Sequence, residues 1–232
     1  MGGGEPTHFE AHVHWNSLRV TIPAACAFAV FLVWASKPDA DEHRKARQLV
    51  VYYTLSRVDD PVIVLGDSLV EASTLPRSIC GHPIVNGGLN GASTASDLGG
   101  WLAPALDGKP PALIVVSLGT NDALASRSPK DFTDRYGMLL NQLSKSARRV
   151  AVLEIPPVEA QGRTTVEMQN EASATINRYN LILPDLASRS GAAFVPMPAM
   201  PNPHTIDGVH LNAGGYQAWD RAVMQAAAVI CG

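Results

Sequence analysis

The chain has 232 residues, of which 46% are hydrophobic and 17% charged, with a formal net charge of −3. That length suits one sizeable α/β domain and falls short of two, and the apolar content excludes a largely disordered chain. There is no basic excess to meet a phosphate backbone, so nucleic acid is not an expected partner; three cysteines with no CxxC pair exclude a disulfide-dense miniprotein and give no zinc signature.

Residues 1–36 read as a polar tail followed by a hydrophobic segment. From Val20 to Ala35 the chain runs sixteen residues without a charge, somewhat short of the roughly 20 apolar residues of a full membrane span. Pro23 sits in its first turn. The leading reading is a signal-anchor helix that ties the protein to a membrane. A cleavable signal peptide is an alternative, because Val33 and Ala35 fit the small-residue rule at a cleavage site. A buried hydrophobic helix of the fold is a second. Cys26 is not a lipobox cysteine, because the apolar run follows it. Gly2 is not set for N-myristoylation, because Pro6 stands where Ser or Thr is needed. Arg19 lies on the N-terminal flank, and Lys37, Arg44, Lys45 and Arg47 lie on the other. Taken alone, that imbalance places the main domain in the cytoplasm.

Residues 37–57 read as a stalk helix. Charges come first, then Leu49, Val50, Tyr52, Tyr53 and Leu55 at helical spacing. The main domain, residues 58–232, alternates strands and helices. Apolar runs at 61–65, 83–86, 112–118, 149–155 and 193–195 read as five buried strands. Between them lie helical stretches at 96–106, 129–147, 166–190 and 213–230. Ser128 is placed as the cap of the second of these and Pro129 at its first position. Such alternation predicts a parallel sheet covered on both faces, with ligands at the carboxyl ends of its strands.

Four motifs fall at those ends. Gly66-Asp67-Ser68-Leu69 follows the first strand and offers a hydroxyl at a strand-to-helix turn, where an N-capping serine is the plain structural alternative. Asn86-Gly87-Gly88-Leu89-Asn90-Gly91 follows the second, with glycines that let backbone N–H groups approach a ligand. Gly119-Thr120-Asn121-Asp122 follows the third, and Asn121 carries an amide donor suited to a developing oxyanion. Near the C-terminus stands Asp207-Gly208-Val209-His210, in which a carboxylate three residues before a histidine can turn back to its Nδ1. Each is a common loop when met alone.

Together and in this order, over about residues 60–231, they resemble the SGNH (GDSL-type) hydrolase family. Ser68, Gly88, Asn121 and His210 match its four naming residues, and Asp207 its triad carboxylate. Leu211-Asn212, Gly214-Gly215-Tyr216 and Asn177 add to the likeness. The resemblance implies a flavodoxin-like three-layer α/β/α sandwich with a five-stranded parallel sheet in the order 2-1-3-4-5, preceded by the N-terminal hydrophobic helix. It implies a serine esterase: Ser68 as nucleophile, His210 as base, Asp207 as its orienting carboxylate. The oxyanion hole would be formed by the Ser68 and Gly88 N–H groups and the Asn121 amide. No metal or organic cofactor is called for. The substrate would be a small-molecule or carbohydrate acyl ester, short-chain or O-acetyl. An acyltransferase to a sugar hydroxyl, and a non-catalytic scaffold that keeps the fold, are the alternatives.

Other residues have two readings each. His204, Asp207 and His210, with His82, are a candidate zinc set, weaker because it leaves Ser68 and Asn121 unexplained; otherwise His204 is a loop residue at the pocket rim. Asp67 and Asp122 read as supports for nearby loops, and Trp101 and Trp219 as packing. Met197, Met200 and the surrounding prolines form a loop that could shape an acyl pocket. Cys80 and Cys231 read as a disulfide at one edge of the sheet, with two buried thiols as the alternative. The disulfide implies an oxidising compartment, and on that ground the domain is expected to face outside the cytoplasm, against the charge imbalance.

Overall fold

The computed structural model describes residues 40–161 and 165–231. The hydrophobic segment within residues 1–36, with its signal-anchor reading, lies outside the described residues. Among the described residues, no helix is long and apolar enough to cross a membrane.

The chain runs through α1 (Ala40–Leu55), β1 (Val62–Gly66), α2 (Ser68–Glu71), β2 (Ser78–Ile79), β3 (His82–Gly88), α3 (Leu98–Leu106) and β4 (Leu113–Ser117). It continues through α4 (Thr120–Leu124), α5 (Pro129–Ser146), β5 (Val150–Leu153), α6 (Val166–Arg189), β6 (Ala193–Val195) and α7 (Ala213–Ala227). The strands form one sheet in the order β2-β3-β1-β4-β5-β6. From β3 to β6 every neighbouring pair is parallel. Those five strands have the expected 2-1-3-4-5 order.

The strand count differs from the expected five. A sixth, β2, pairs antiparallel with β3, Ile79 opposite His82. It is only two residues long, too short to show a period in sequence. The turn between them, Cys80-Gly81, has φ of +49° and +83°, the backbone that a two-residue hairpin needs to match strand twist. Cys80 in that turn is disulfide-bonded to Cys231 beyond α7, with Cα atoms 5.4 Å apart.

Alternate strand residues feed two cores. Ile63, Leu65, Ile114, Val116 and Val152 pack on one side with Val51 and Leu55 of α1, Leu102 of α3, Leu140 of α5 and Tyr179 of α6. Val62, Val64, Leu113, Val115 and Leu153 pack on the other with Leu69 of α2 and Trp219 of α7. The sheet is therefore sandwiched between helices, which is why its strands read as unbroken apolar runs rather than alternating ones. Trp101 and Trp219 are both packing residues, 3% and 0% exposed, and the Trp219 indole N–H donates to Ser117 Oγ at 3.1 Å. Ser128 caps α5 by accepting from the Asp131 N–H, with Pro129 at the first helical position.

The stretch read as a stalk forms α1, and α1 is docked on the domain. Gln48 donates to the Trp101 carbonyl at 2.7 Å, and the Trp101 indole donates to the Arg44 carbonyl at 3.3 Å. Val51 and Leu55 close one end of the first core.

Candidate active site

Ser68 is the first residue of α2, two positions past the end of β1. The residue before it, Asp67, caps the helix: its Oδ1 accepts from the Leu69 N–H at 2.9 Å. Asp67 is 1% exposed, and its Oδ2 meets no hydrogen-bond partner. Burial pushes this carboxyl up to about 7, against the pull of the Leu69 N–H and of His210. Ser68 itself is partly open to solvent.

His210 reaches Ser68 from the far end of the sequence. Its Nε2 lies 3.1 Å from Ser68 Oγ, and its Nδ1 lies 2.8 Å from Asp207 Oδ2. The short spacing works because Asp207 folds the loop on itself. Its Oδ1 accepts from the Val209 N–H at 3.1 Å and the His210 N–H at 2.8 Å. Burial opposes ionisation of Asp207, but these N–H bonds and the His210 ring outweigh it and hold the carboxyl at about 2. It is a fixed negative charge beside the imidazole throughout the neutral range.

The loop hangs on a residue that sequence reading did not single out. Glu159, after β5, accepts from the Thr205 N–H at 2.8 Å and from the Thr205 hydroxyl. Its own N–H donates to the Gly208 carbonyl at 2.8 Å. His204 joins this support. Its ring nitrogens lie 3.1 Å from the Pro201 and Pro157 carbonyls, so it does not converge with Asp207 and His210. Among the described residues there is no cluster of three or more His, Cys, Asp or Glu placed to hold a metal ion.

Asn121 sits at the start of α4, beyond β4. Its amide donates one hydrogen to the Ala92 carbonyl at 2.8 Å, which leaves the second amide hydrogen for a ligand. Asp122 is fully buried and accepts from the Thr94 N–H at 2.9 Å and its hydroxyl at 2.7 Å, as well as from Arg127. It supports the loop after β3, as the sequence suggested.

Gly88 does not occupy the expected place. Its N–H is committed to Asn86 Oδ1 at 2.9 Å, so it is not free to meet an oxyanion. It is glycine for another reason: an added Cβ would stand 2.1 Å from the Glu71 nitrogen. Beyond it, Ala92 N–H donates to the Leu89 carbonyl and closes a turn with Gly91 at φ +72°. Asn90 of this turn lines the cavity at Ser68. Gly91, three residues on, belongs to the same glycine-rich stretch.

Ser68, Glu71, Ala72, Asn90 and His210 line an open cavity of about 290 Å³. The Met197 to Asn202 loop borders a separate cavity of about 550 Å³ between the ends of β5 and β6, so it does not shape the space beside Ser68.

A sheet covered by helices on both faces, with a serine, a histidine and a carboxylate linked at its C-terminal edge, gives this protein an α/β/α fold of three layers. Within that class the chain belongs to the GDSL-like lipase/acylhydrolase family, which it matches over residues 64–218. It is 29% identical to an arylesterase of Vibrio mimicus over 128 residues, 47% of this chain and 64% of that relative, just under two thirds of the relative's length. Among solved structures it resembles a Streptococcus pneumonia protein provisionally described as a platelet activating factor. The TM-score is 0.61 at 23% identity, over 87% of this chain and 98% of that one. It also resembles an acetyl xylan esterase, with a TM-score of 0.57 at 18% identity, over 72% of this chain and 98% of that one. At these identities the structural likeness is one of fold.

Proposed function

We propose that this protein is a serine esterase that hydrolyses short-chain acyl esters of small or carbohydrate alcohols. The observation that carries the reading is the continuous link Asp207–His210–Ser68, with both contacts at hydrogen-bond distance. Ser68 Oγ attacks the ester carbonyl as its proton passes to His210 Nε2. Asp207 holds the imidazole in the tautomer that receives it and stabilises the imidazolium. The oxyanion is met by the second Asn121 amide hydrogen and the Ser68 N–H, with the Gly91 N–H in place of the Gly88 N–H. His210 returns the proton to the leaving alcohol, and water repeats the sequence on the acyl-enzyme. The open cavity of about 290 Å³ beside Ser68 has room for a short acyl group.

The test is turnover of p-nitrophenyl acetate, butyrate and octanoate, and of acetylated xylo-oligosaccharide, by the full chain beside its Ser68→Ala variant. Acetyl esters are expected to be turned over fastest, and the variant is expected to lose turnover. A folded wild-type protein without activity on any of them overturns the reading.

The same reading sets the enzyme outside the cytoplasm on a membrane tether. The apolar run from Val20 to Ala35 and the Cys80–Cys231 disulfide support it, since such bonds persist in oxidising compartments. Protease accessibility of the domain in spheroplasts tests it: digestion from outside is expected, and protection overturns it.

A further inference from the structure

Helix α1 lies before the stretch that matches the family, residues 64–218, yet it reaches the machinery at Ser68. Arg47 Nε donates to the Gly88 carbonyl at 3.1 Å. Its Nη2 donates to the Asn86 carbonyl at 3.2 Å and to Asn86 Oδ1 at 3.3 Å. Asn86 in turn donates to the Val70 carbonyl at 2.7 Å, within the helix that Ser68 begins. One guanidinium thus ties the end of β3 to the back of α2.

A second strand of contacts fixes the turn that follows. The Asn90 N–H donates to Glu71 Oε2 at 2.6 Å. The Glu71 carboxylate also meets His43 Nε2 at 3.1 Å and lies 3.8 Å from Arg47 Nε. Both anchors of the Leu89–Ala92 turn, Gly88 before it and Asn90 within it, therefore lead back to α1. That turn carries the Gly91 N–H, and its Ala92 carbonyl orients the Asn121 amide.

We propose that Arg47 is a positioning residue for the oxyanion donors of the Ser68 site. The proposal rests on the esterase reading above. Arg47 acts in two ways of the same sign. Its planar fork holds two carbonyls from two nitrogens in one fixed geometry, which the single nitrogen of an ammonium does not reproduce. Its permanent charge offsets that of Glu71, one of the residues lining the cavity at Ser68. Without it the turn loosens and the Glu71 carboxylate loses its arginine neighbour. Oxyanion donors must hold their place to a fraction of an ångström, and the loss of a single donor typically lowers kcat by about 10²–10³. A displaced turn is expected to forfeit about 10- to 100-fold.

The experiment compares the full chain with Arg47→Met and Arg47→Lys. It reads kcat and KM on p-nitrophenyl acetate, and the inhibition constant of a trifluoromethyl ketone, which adds to the serine as a tetrahedral oxyanion. Arg47→Met is expected to lower kcat about 10- to 100-fold with KM changed less than about threefold. Its ketone affinity should fall by the same factor as kcat/KM, and Arg47→Lys should lie between. Wild-type turnover with Arg47→Met within twofold of it overturns the proposal alone. So does a kcat loss that leaves ketone affinity unchanged. If Arg47→Met fails to fold, Arg47→Lys decides by the same criteria. An inactive wild type overturns the esterase reading, and this proposal with it.

Discussion

His210 Nε2 and Ser68 Oγ lie 3.1 Å apart across 142 residues of chain. The parallel sheet makes this possible. It delivers Ser68 at the end of β1, at its centre, and α7 packs back against the same face, so the loop before α7 arrives above Ser68. Asp207 completes the relay from within that loop. Asp207→Asn preserves the size of the side chain but removes the charge and the tautomer control. It is expected to lower kcat by about 10³–10⁴ while leaving the melting temperature within a few degrees. Steady-state kinetics with a thermal melt checks both, and a loss under tenfold would contradict the role.

The neighbour of the nucleophile predicts a pH effect on stability. Burial raises the Asp67 carboxyl in the folded state to about 7 from its ordinary 3.8. Between these values the folded protein keeps a proton that the unfolded chain has released. Stability therefore falls as pH rises through this window, by up to about 1.4 kcal/mol per pH unit, and levels off above it. Asp67→Asn retains an acceptor for the Leu69 N–H and cannot ionise. Its stability advantage over the wild type should grow from pH 4.5 to 7 and then stay flat. Urea melts across that range check it, and parallel curves would count against it.

Two glycines, one closing β3 and one in the turn beyond it, should separate cleanly. At Gly88 a methyl group would lie 2.1 Å from the Glu71 nitrogen and 2.5 Å from its Cα, and backbone cannot step aside. Gly88→Ala is expected to cost about 3 kcal/mol or more. Gly91→Ala meets nothing within 4 Å and suffers only from its φ of +72°, at a cost of about 1 kcal/mol. Denaturant midpoints of the two variants test the ranking. Equal costs would mean that the loop sits differently.

The disulfide joins residues 151 positions apart. Cys80→Ser, or reduction of the wild type, is expected to cost about 2–5 kcal/mol, because the unfolded chain regains a large loop. Melting with and without reductant measures it; a wild-type melt insensitive to reductant would contradict it.

Much of this was legible in the sequence because it obeys local rules. Buried parallel strands show as unbroken apolar runs, so β1, β4 and β6 were found within a few residues. Ser128-Pro129 announced a helix start by capping chemistry. Asp207-Gly208-Val209-His210 has a spacing that permits the pairing, and it stood out only in company with the other three motifs. What escaped is what distance in the chain conceals. No local pattern links Arg47 to Gly88, or Glu159 to Thr205, because those contacts exist only once α1 and the loop after β5 have docked. The β2 strand is too short to carry a period. The resemblance pointed to Gly88 without showing which N–H groups the glycine-rich turn consumes; the Asn86 side chain takes that of Gly88, and nothing local to the motif signals it.

The central claim is that Ser68 is a nucleophile activated by His210. Covalent trapping tests it most directly. The full chain, its Ser68→Ala variant and its His210→Ala variant are exposed to an alkyl fluorophosphonate, and the modified peptide is identified by mass spectrometry. One adduct per chain on the peptide that contains Ser68 is expected, absent in Ser68→Ala and formed far more slowly in His210→Ala. A folded wild type that takes up no label, or takes it up at another residue, would contradict the account.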